Sequence, residues 1–355
     1  MRRTDPLIVG GGPAGAAAAI TMALAGARPL LIERYAEPRD IVCGGFLGWD
    51  ALAALEALGI DPWALGAQPI RHVRIISGHR MIERPLPAIA AGLSRQTLDR
   101  ALLVRAAELG VAVRRGVAVR RIEGDTLNLA DGAELQAEAI FLATGKHALR
   151  GSPREALPAD TRLGLRTTLP ARPDLAGWIE LHLVAGGYVG LLLQDDGRTN
   201  LCMSIAPDRL SRVGGSPASL LAALAREAPY LADRLDDAGD WAAISAVPYG
   251  WRARTSPAGL FRLGDQAAVI ASVVGDGIAI ALASGRAAAR GWNEGGAAAA
   301  PVFQQAFAAR ARRPIAIAEL ARAAAERPAL ANTILCALRL PGAVGALARL
   351  TRIAG

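Results

Sequence analysis

Three glycines near the start of the chain and one later carboxylate have the types and spacing of a nucleotide-binding motif. Gly10, Gly12 and Gly15 fit G-x-G-x-x-G and directly follow the apolar triplet Leu7-Ile8-Val9. Gly10 permits a tight turn, Gly12 leaves room for a pyrophosphate, and Gly15 lets a helix lie close to the strand. Glu33 ends a second apolar run, where a carboxylate accepts hydrogen bonds from the ribose of an adenine dinucleotide. These residues predict a site for FAD or NAD.

The elements around these residues form a strand, a turn, a helix and a second strand. The predicted helix, Ala14 to Ala25, offers its free N–H groups and the positive end of its dipole to the phosphates. The second strand covers Pro29 to Ile32, and a glutamate after it argues against a 2′-phosphate on the ribose. The alternative, an alanine- and glycine-rich helical hairpin, does not explain why an acid ends the second run.

Composition excludes several other classes of function. The chain has 355 residues, which suggests roughly two domains, and its net charge of +8 comes almost entirely from arginine, since Lys146 is the single lysine. No interleaving of basic and aromatic residues indicates a nucleic-acid partner. The cysteines and histidines lack the spacing of a metal site or a redox dithiol, so no metal is predicted. These residues are Cys43, Cys202, Cys336, His72, His79, His147 and His182.

The sequence predicts a cytoplasmic protein. The basic start, Met1-Arg2-Arg3, precedes the nucleotide motif rather than the apolar core of a signal peptide. The longest apolar stretch, Ala267 to Ala283, is interrupted by Gly275-Asp276-Gly277 and falls short of a membrane span.

Three further segments carry candidate binding residues. Cys43-Gly44-Gly45 follows a polar loop, and its glycines suggest backbone packed against a flat ligand. A buried strand, residues 139–143, ends in Thr144-Gly145, so its carboxyl end approaches the nucleotide. Another strand ends in Gly264-Asp265, and a helix begins near Gly277, whose N-terminus favours negative charge. Asp265 could accept from a ribose or ribityl hydroxyl, or alternatively act as an N-cap.

The order of these segments predicts an α/β fold with a Rossmann-type nucleotide-binding domain, an inserted mixed-sheet substrate domain and a helical C-terminal tail. We assign residues 1–70, 91–150 and 256–300 to the first domain, residues 71–90 and 151–255 to the second, and residues 301–355 to the tail. The insertion could form one wall of a substrate pocket or merely support the core.

Asp50 is expected to cap a helix from Ala51 to Leu58. Pro314, Pro328 and Pro341 are expected to divide the tail into short helices. Packing of these helices on the body is favoured over contact with a membrane surface.

Three separated segments resemble the FAD-dependent superfamily that holds p-hydroxybenzoate hydroxylase, geranylgeranyl reductases and flavin-dependent halogenases. They are Val9 to Gly15 with Glu33, Arg95 to Leu102, and Phe261 to Ala283. Pro38-Arg39 through Cys43-Gly44-Gly45 resembles most the geranylgeranyl-reductase branch, where such a segment borders the flavin. The resemblance implies FAD as the cofactor. The implied FAD-binding residues are Gly10, Gly12, Pro13, Ala14, Gly15, Glu33, Arg34, Arg39, Cys43, Gly44, Arg95, Thr144, Gly145, Gly264, Asp265, Gly275, Gly277 and Ile278.

Two departures bear on the reaction. The hydroxylases carry an Asp-Gly pair tied to FAD and NADPH, whereas this chain has Ala143-Thr144-Gly145-Lys146-His147. Direct use of NADPH is therefore in doubt, and the electron donor could be NAD(P)H acting transiently or a reduced protein partner. The halogenases carry W-x-W-x-I-P and an early catalytic lysine, and this chain has neither.

The resemblance implies an oxidoreductase acting on a small apolar molecule. The favoured reaction is hydride transfer from reduced flavin to a C=C bond. The alternatives are a monooxygenase that hydroxylates an aromatic or polyketide-like substrate through a C4a-hydroperoxide, and a flavin-binding carrier or sensor without turnover. Cys43 is the candidate catalytic residue because of its position beside the flavin, and the competing interpretation is an inert buried thiol.

Overall fold

The computed structural model describes residues 5–235 and 238–353. The strands, in chain order, are β1 (Leu7–Val9), β2 (Leu30–Glu33), β3 (Phe46–Leu47), β4 (Gln68–Ser77), β5 (Arg80–Gly92), β6 (Ala112–Arg115), β7 (Val119–Glu123), β8 (Thr126–Leu129), β9 (Glu134–Gln136), β10 (Ile140–Leu142), β11 (Arg162–Leu169), β12 (Gly177–Val184), β13 (Gly187–Leu193), β14 (Thr199–Ile205), β15 (Ala242–Val247) and β16 (Leu260–Arg262). The helices are α1 (Pro13–Leu24), α2 (Trp49–Glu56), α3 (Arg95–Glu108), α4 (Pro207–Arg212), α5 (Pro217–Glu227), α6 (Pro229–Ala232), α7 (Gly277–Gly295), α8 (Ala300–Ala325), α9 (Pro328–Leu338) and α10 (Ala343–Thr351).

The first sheet is parallel and has the order β16-β10-β1-β2-β6. Its central strands consist of short runs of consecutive apolar residues because both faces of the sheet are buried. Val9 lies opposite both Ile32 and Leu142, so the carboxyl ends of these strands meet at one edge. In open parallel sheets, that edge is where ligands bind. The structure confirms the α/β fold class.

Small residues allow the helices to pack closely beside this sheet. α1 and α7 cross at Gly285, where a Cβ atom would lie 2.2 Å from the carbonyl oxygen of Ala14. Any side chain at Gly285 would therefore push α7 away from α1. This contact fixes the N-terminus of α7 relative to the glycine turn that begins α1.

The second sheet has eight strands in the order β15-β11-β14-β13-β12-β4-β5-β3. Its neighbours are antiparallel except for β12 and β4, which are parallel. The sheet joins strands from the two ranges that we assigned to the substrate domain. It also takes β3 and the first residues of β4 from the range assigned to nucleotide binding. A separate antiparallel sheet of β7, β8 and β9 lies within residues 91–150.

Two local predictions are wrong. Asp50 does not cap α2, because the helix begins at Trp49, two residues before the predicted Ala51. Gly48 occupies the N-cap position and has no side chain that could accept a hydrogen bond. Pro314 does not end a helix but lies buried inside α8. A proline in a helix removes one backbone hydrogen bond, and burial of neighbours such as Ala311, Ile315 and Ala318 offsets that loss.

The C-terminal helices return to both sheets. α9 contacts β4 and β5, and α10 contacts β5 and α8. Within the described ranges, no single helix combines the length and apolarity needed to cross a bilayer. α9 and α10 reach that length and apolarity as a pair, but the chain bends by 112° between them.

Candidate functional site

A cavity of about 920 Å³ lies between the carboxyl edge of the first sheet, one face of the second sheet, and the C-terminal helices. Every predicted cofactor-binding residue except Gly15 lines this cavity. Segments separated by more than 200 residues in sequence, such as the Gly10 turn and the Gly264-Asp265 turn, therefore meet around one space.

The glycine turn is shaped by close approaches of backbone to backbone. Gly10 has φ = +107°, and a Cβ atom there would lie 2.5 Å from the carbonyl oxygen of Ala143. A Cβ atom at Gly15 would lie 1.9 Å from the carbonyl oxygen of Gly10. Gly15 thus holds α1 against the turn, the packing role that the motif predicts, and it does not itself line the cavity. Near Gly12, the guanidinium group of Arg95 would lie 3.2 Å from an added Cβ atom.

The Glu33 carboxylate lies at the cavity wall and orders the turn beside it. One of its oxygens accepts from the backbone N–H of Gly11 at 2.7 Å, and the other accepts from that of Tyr35 at 2.9 Å. The next loop folds over the Tyr35 ring, with the guanidinium of Arg39 3.7 Å and that of Arg34 4.5 Å from the ring centroid. These two arginines bring positive charge to the nucleotide end of the cavity.

The Cys43-Gly44-Gly45 segment is held from the second sheet. The side-chain amide of Asn200, on β14, donates to the carbonyl oxygens of Cys43 at 3.1 Å and of Gly44 at 2.8 Å. Arg166, on β11, donates to Asn200 at 2.7 Å and to the carboxylate of Asp40 at 2.8 Å. Sequence analysis missed Arg166 and Asn200, since neither belongs to a motif. The signal available was their chemical type, a polar residue within an apolar strand.

Gly44 and Gly45 have different surroundings although they are adjacent. Gly45 has φ = +69°, and a Cβ atom there would lie 2.3 Å from the side-chain nitrogen of Gln194. At Gly44, no atom of the chain lies within 4 Å of the Cβ position. Gly45 is therefore required by the fold, whereas Gly44 leaves space in the cavity.

The cavity wall leaves space for a dinucleotide that carries a flat ring system. Gly145 and Gly277 line it and, like Gly44, leave their Cβ positions without neighbours within 4 Å. The N-terminus of α7 begins at Gly277, so its unpaired N–H groups face the same region. The residues present thus fit a ligand with a pyrophosphate, a ribose and a flat ring system.

A lysine at this end of the cavity was not predicted as a site residue. The Lys146 Nζ lies 3.1 Å from the Asp265 carboxylate, and both residues line the cavity. Burial opposes the charge of Lys146, but the Asp265 carboxylate, together with Tyr249 and Cys43, outweighs that effect and raises the pKa of Lys146. Arg154 fixes the turn by donating to the carbonyl oxygens of Gly145 and Lys146. Asp265 forms an ion pair, and Leu263 rather than Asp265 occupies the N-cap position of the short helix there.

The opposite end of the cavity is apolar and contains one buried hydroxyl cluster. Its walls come from the second sheet and from the inner faces of α9 and α10. The wall residues include Val73, Ile75, Ile179, Leu181, Ile334, Leu338, Val344 and Leu347. Within this lining, Tyr188 donates to the hydroxyl of Ser272 at 2.7 Å, and Tyr249 shares a hydrogen bond with the same oxygen. Burial raises the pKa of both tyrosines, which keeps both phenols protonated.

Among the four histidines, His147 lines the cavity. Burial, followed by the positive charges of Arg34 and Arg154, lowers its pKa. His182 is fully buried elsewhere, where its Nε2 lies 2.7 Å from the Glu180 carboxylate.

Comparison with known proteins shows which cofactor this protein binds. Residues 3–148 match the family described as FAD binding domain. This match covers the first nucleotide-binding part of the chain and supports the FAD-dependent oxidoreductase superfamily. The cofactor of the chain is therefore FAD, as the resemblance implied.

Relatives of this FAD protein include two named menaquinone reductases. The one from Mycobacterium tuberculosis is 32% identical over 154 residues, which cover 40% of this chain and 37% of that protein. The one from Mycolicibacterium smegmatis is 27% identical over 329 residues, which cover 83% of this chain and 77% of that protein. The match thus spans well under two thirds of the first relative and most of the second.

Solved structures share the fold across almost the whole FAD protein. A flavin-dependent brominase, Bmp2, superposes with a TM-score of 0.80 at 18% identity, covering 98% of this chain and 93% of that chain. A geranylgeranyl bacteriochlorophyll reductase-like protein from Thermoplasma acidophilum superposes with a TM-score of 0.78 at 19% identity, covering 99% and 93%. At such identities, these structures establish the fold and leave the reaction open.

Proposed function

We propose that this protein is an FAD-dependent reductase that adds hydrogen across a C=C bond of a long apolar substrate, of the polyprenyl type. The observation that carries the proposal is the apolar end of the cavity, whose walls of aliphatic side chains continue from the FAD end to α9 and α10. The names of the menaquinone reductases and of the geranylgeranyl reductase-like structure support the same substrate class.

We assign FAD to the polar end through the residues that the sequence predicted. Gly10 to Ala14 and Arg95 would hold the pyrophosphate, and Glu33 would accept from the adenosine ribose. Its carboxylate is already oriented by two backbone N–H groups. Gly44, Gly145 and Gly277 leave the space that a flat ring system needs.

Reduced FAD held at the polar end would supply the hydride for one carbon of the double bond. The other carbon then needs a proton, and the Tyr188–Ser272–Tyr249 cluster is placed to provide it. The phenols are buried in the apolar end and stay protonated, and Ser272 connects their hydroxyls. Apolar walls disfavour water around the double bond, which favours a side chain as the source of the proton.

Cys43 remains a candidate active-site residue. Its thiol lines the cavity and accepts from the backbone N–H of Gly45 at 3.4 Å. Cys43→Ser nearly preserves the shape of the side chain, so unchanged FAD binding with lost turnover would support this role. Unchanged turnover would make Cys43 a bystander.

The reaction is tested with FAD-loaded protein that has been reduced by dithionite under nitrogen and mixed with menaquinone or a geranylgeranyl lipid. After reoxidation of the extracted product in air, which returns any quinol to the quinone, we expect the product to keep two added hydrogen atoms by mass spectrometry. A product that gains one oxygen atom, and forms only in air, would contradict the reductase and support the monooxygenase alternative. Oxidation of the flavin in air with no product from either substrate would support a carrier.

The proton source is tested by Tyr188→Phe, with Tyr230→Phe as a matched control on an exposed tyrosine. Loss of a general acid lowers the rate by about 10²- to 10⁴-fold. We expect this loss in Tyr188→Phe with unchanged FAD affinity, and a wild-type rate in the control. A wild-type rate in Tyr188→Phe would remove the cluster from the mechanism.

A further inference from the structure

We propose that α9 and α10 dock this protein on an anionic lipid bilayer. The docking surface consists of Leu330, Leu340 and Leu350, together with Arg327, Arg339 and Arg349. All six side chains are exposed, and the leucines are 41%, 63% and 41% exposed. Sequence analysis favoured packing on the body, and the structure shows such packing for the inner faces of these helices.

The outer face of α9 carries no charged residue. Its exposed positions after Leu330 are Thr333, Cys336 and Ala337, which recur with the spacing of one helical face. Arg327 precedes this face and Arg339 follows it. A helix face without charges, flanked by arginines, can lie in the interface of an anionic membrane, with its apolar side chains inserted and the guanidinium groups on the headgroups.

The charge of the whole segment has one sign. Every charged residue from Arg327 to Ile353 is an arginine. Arg352 is occupied elsewhere, since it pairs with Asp50 and Asp276 and stacks on Trp49. The three exposed arginines thus have no acidic neighbour in their own segment, which favours an anionic surface.

The turn between the two helices presents the most exposed leucine of the docking surface. Leu340 lies at that turn, followed by the exposed Pro341 and Gly342. Arg84 of β5 fixes the turn by donating to the carbonyl oxygens of Leu338 and Arg339. This contact with the second sheet fixes the turn that exposes Leu340.

The same two helices separate the cavity from the outside by a single layer. Ile334, Leu338, Val344 and Leu347 point to the cavity, and Leu330, Leu340 and Leu350 are exposed. A membrane on the outer face would bring a water-insoluble substrate next to the apolar end. This last argument rests on the proposed function, whereas the apolar face and its arginines do not.

The test measures binding of the full-length, FAD-loaded protein to sedimenting vesicles, without substrate. Vesicles of phosphatidylcholine alone are compared with vesicles that also contain phosphatidylglycerol. We expect at least tenfold tighter binding to the anionic vesicles, and weaker binding at high salt. Equal binding to both kinds of vesicle, or binding to neither, would overturn the proposal.

Two sets of variants locate the surface. Arg339→Gln and Arg349→Gln should each weaken binding about fivefold, the contribution of one basic residue near an anionic surface. Leu340→Glu should weaken it at least tenfold. Val302→Glu is the matched control, since Val302 is 70% exposed and lies on the order of 35 Å along α8 from the start of α9.

Each variant must retain its FAD content and circular dichroism, and the arginine variants test the proposal even if Leu340→Glu misfolds. An equal loss of binding in Val302→Glu would contradict the assigned surface. A wild-type dimer that Leu340→Glu turns into a monomer would also overturn the proposal, because the face would then bind a second copy. Vesicle binding does not require turnover, so the docking proposal can be confirmed or refuted even if the proposed reaction is wrong.

Discussion

The adjacent glycines of the Cys-Gly-Gly segment should respond in opposite ways to the same substitution. Gly45→Ala places a methyl group 2.3 Å from the Gln194 side-chain nitrogen, at φ = +69°. Gly44→Ala places the same methyl group where no protein atom lies within 4 Å. The pair therefore separates a glycine needed for folding from a glycine needed for the ligand.

The magnitude for Gly45→Ala follows from two contributions. A left-handed backbone costs a non-glycine residue about 1–2 kcal/mol. Gln194 must also move, and it then loses its hydrogen bond from Arg166, worth about 0.5–1.5 kcal/mol. We expect the free energy of unfolding of the apoprotein to fall by about 2–3 kcal/mol. In Gly44→Ala it should stay within about 0.5 kcal/mol of wild type, as at other sites without a packing conflict.

Urea unfolding of both apoproteins, followed by titration with FAD, gives the two quantities. Gly44→Ala should bind FAD at least tenfold more weakly, because its methyl group enters the space assigned to the flavin. Wild-type stability of Gly45→Ala would refute the packing argument. Wild-type FAD affinity of Gly44→Ala would refute the assignment of that space.

Two further predictions concern carboxylates. Glu33→Ala should weaken FAD binding about ten- to a hundredfold by fluorescence titration, since a hydrogen bond to a charged group contributes about 1.5–3 kcal/mol; unchanged affinity would count against its role at the ribose. Burial raises the pKa of Asp276 to about 7, so the native state holds a proton that the unfolded state releases near pH 4. The free energy of unfolding should therefore fall as the pH rises from about 4 to 7, by up to about 4 kcal/mol. Asp276→Asn should lack this contribution, and the same pH slope in both proteins would disprove it.

The nucleotide end could be predicted from the sequence because its signals are local. Glycines, an apolar strand and a terminal acid lie within one short stretch, and the strand ends then fix where the later turns meet. For Gly15 the motif predicts both contact with the ligand and close packing of the helix, and it does not separate the two. The Cβ position 1.9 Å from the Gly10 oxygen makes that distinction.

The hydroxyl cluster and the lysine could not be predicted in the same way. Tyr188 lies on β13, Tyr249 lies in the loop after β15, and their shared partner Ser272 begins a short 3-10 helix. Their proximity depends on the register of β13 with β14 and on the path of the chain after β15. Lys146 gave one signal, its position as the single lysine directly after the Thr144-Gly145 turn.

The structure also explains why the Cys43 segment depends on residues far from it in sequence. Arg166 and Asn200 lie on neighbouring strands of the second sheet, and together they bind Asp40, Cys43 and Gly44. Arg166 is buried, so losing its partners would leave a charge without compensation, which costs several kcal/mol. The segment that borders the FAD end is thus positioned by the sheet that lines the apolar end. A change in that sheet that moves β11 or β14 would move Cys43 and Gly44 as well, so the two ends of the cavity cannot vary independently.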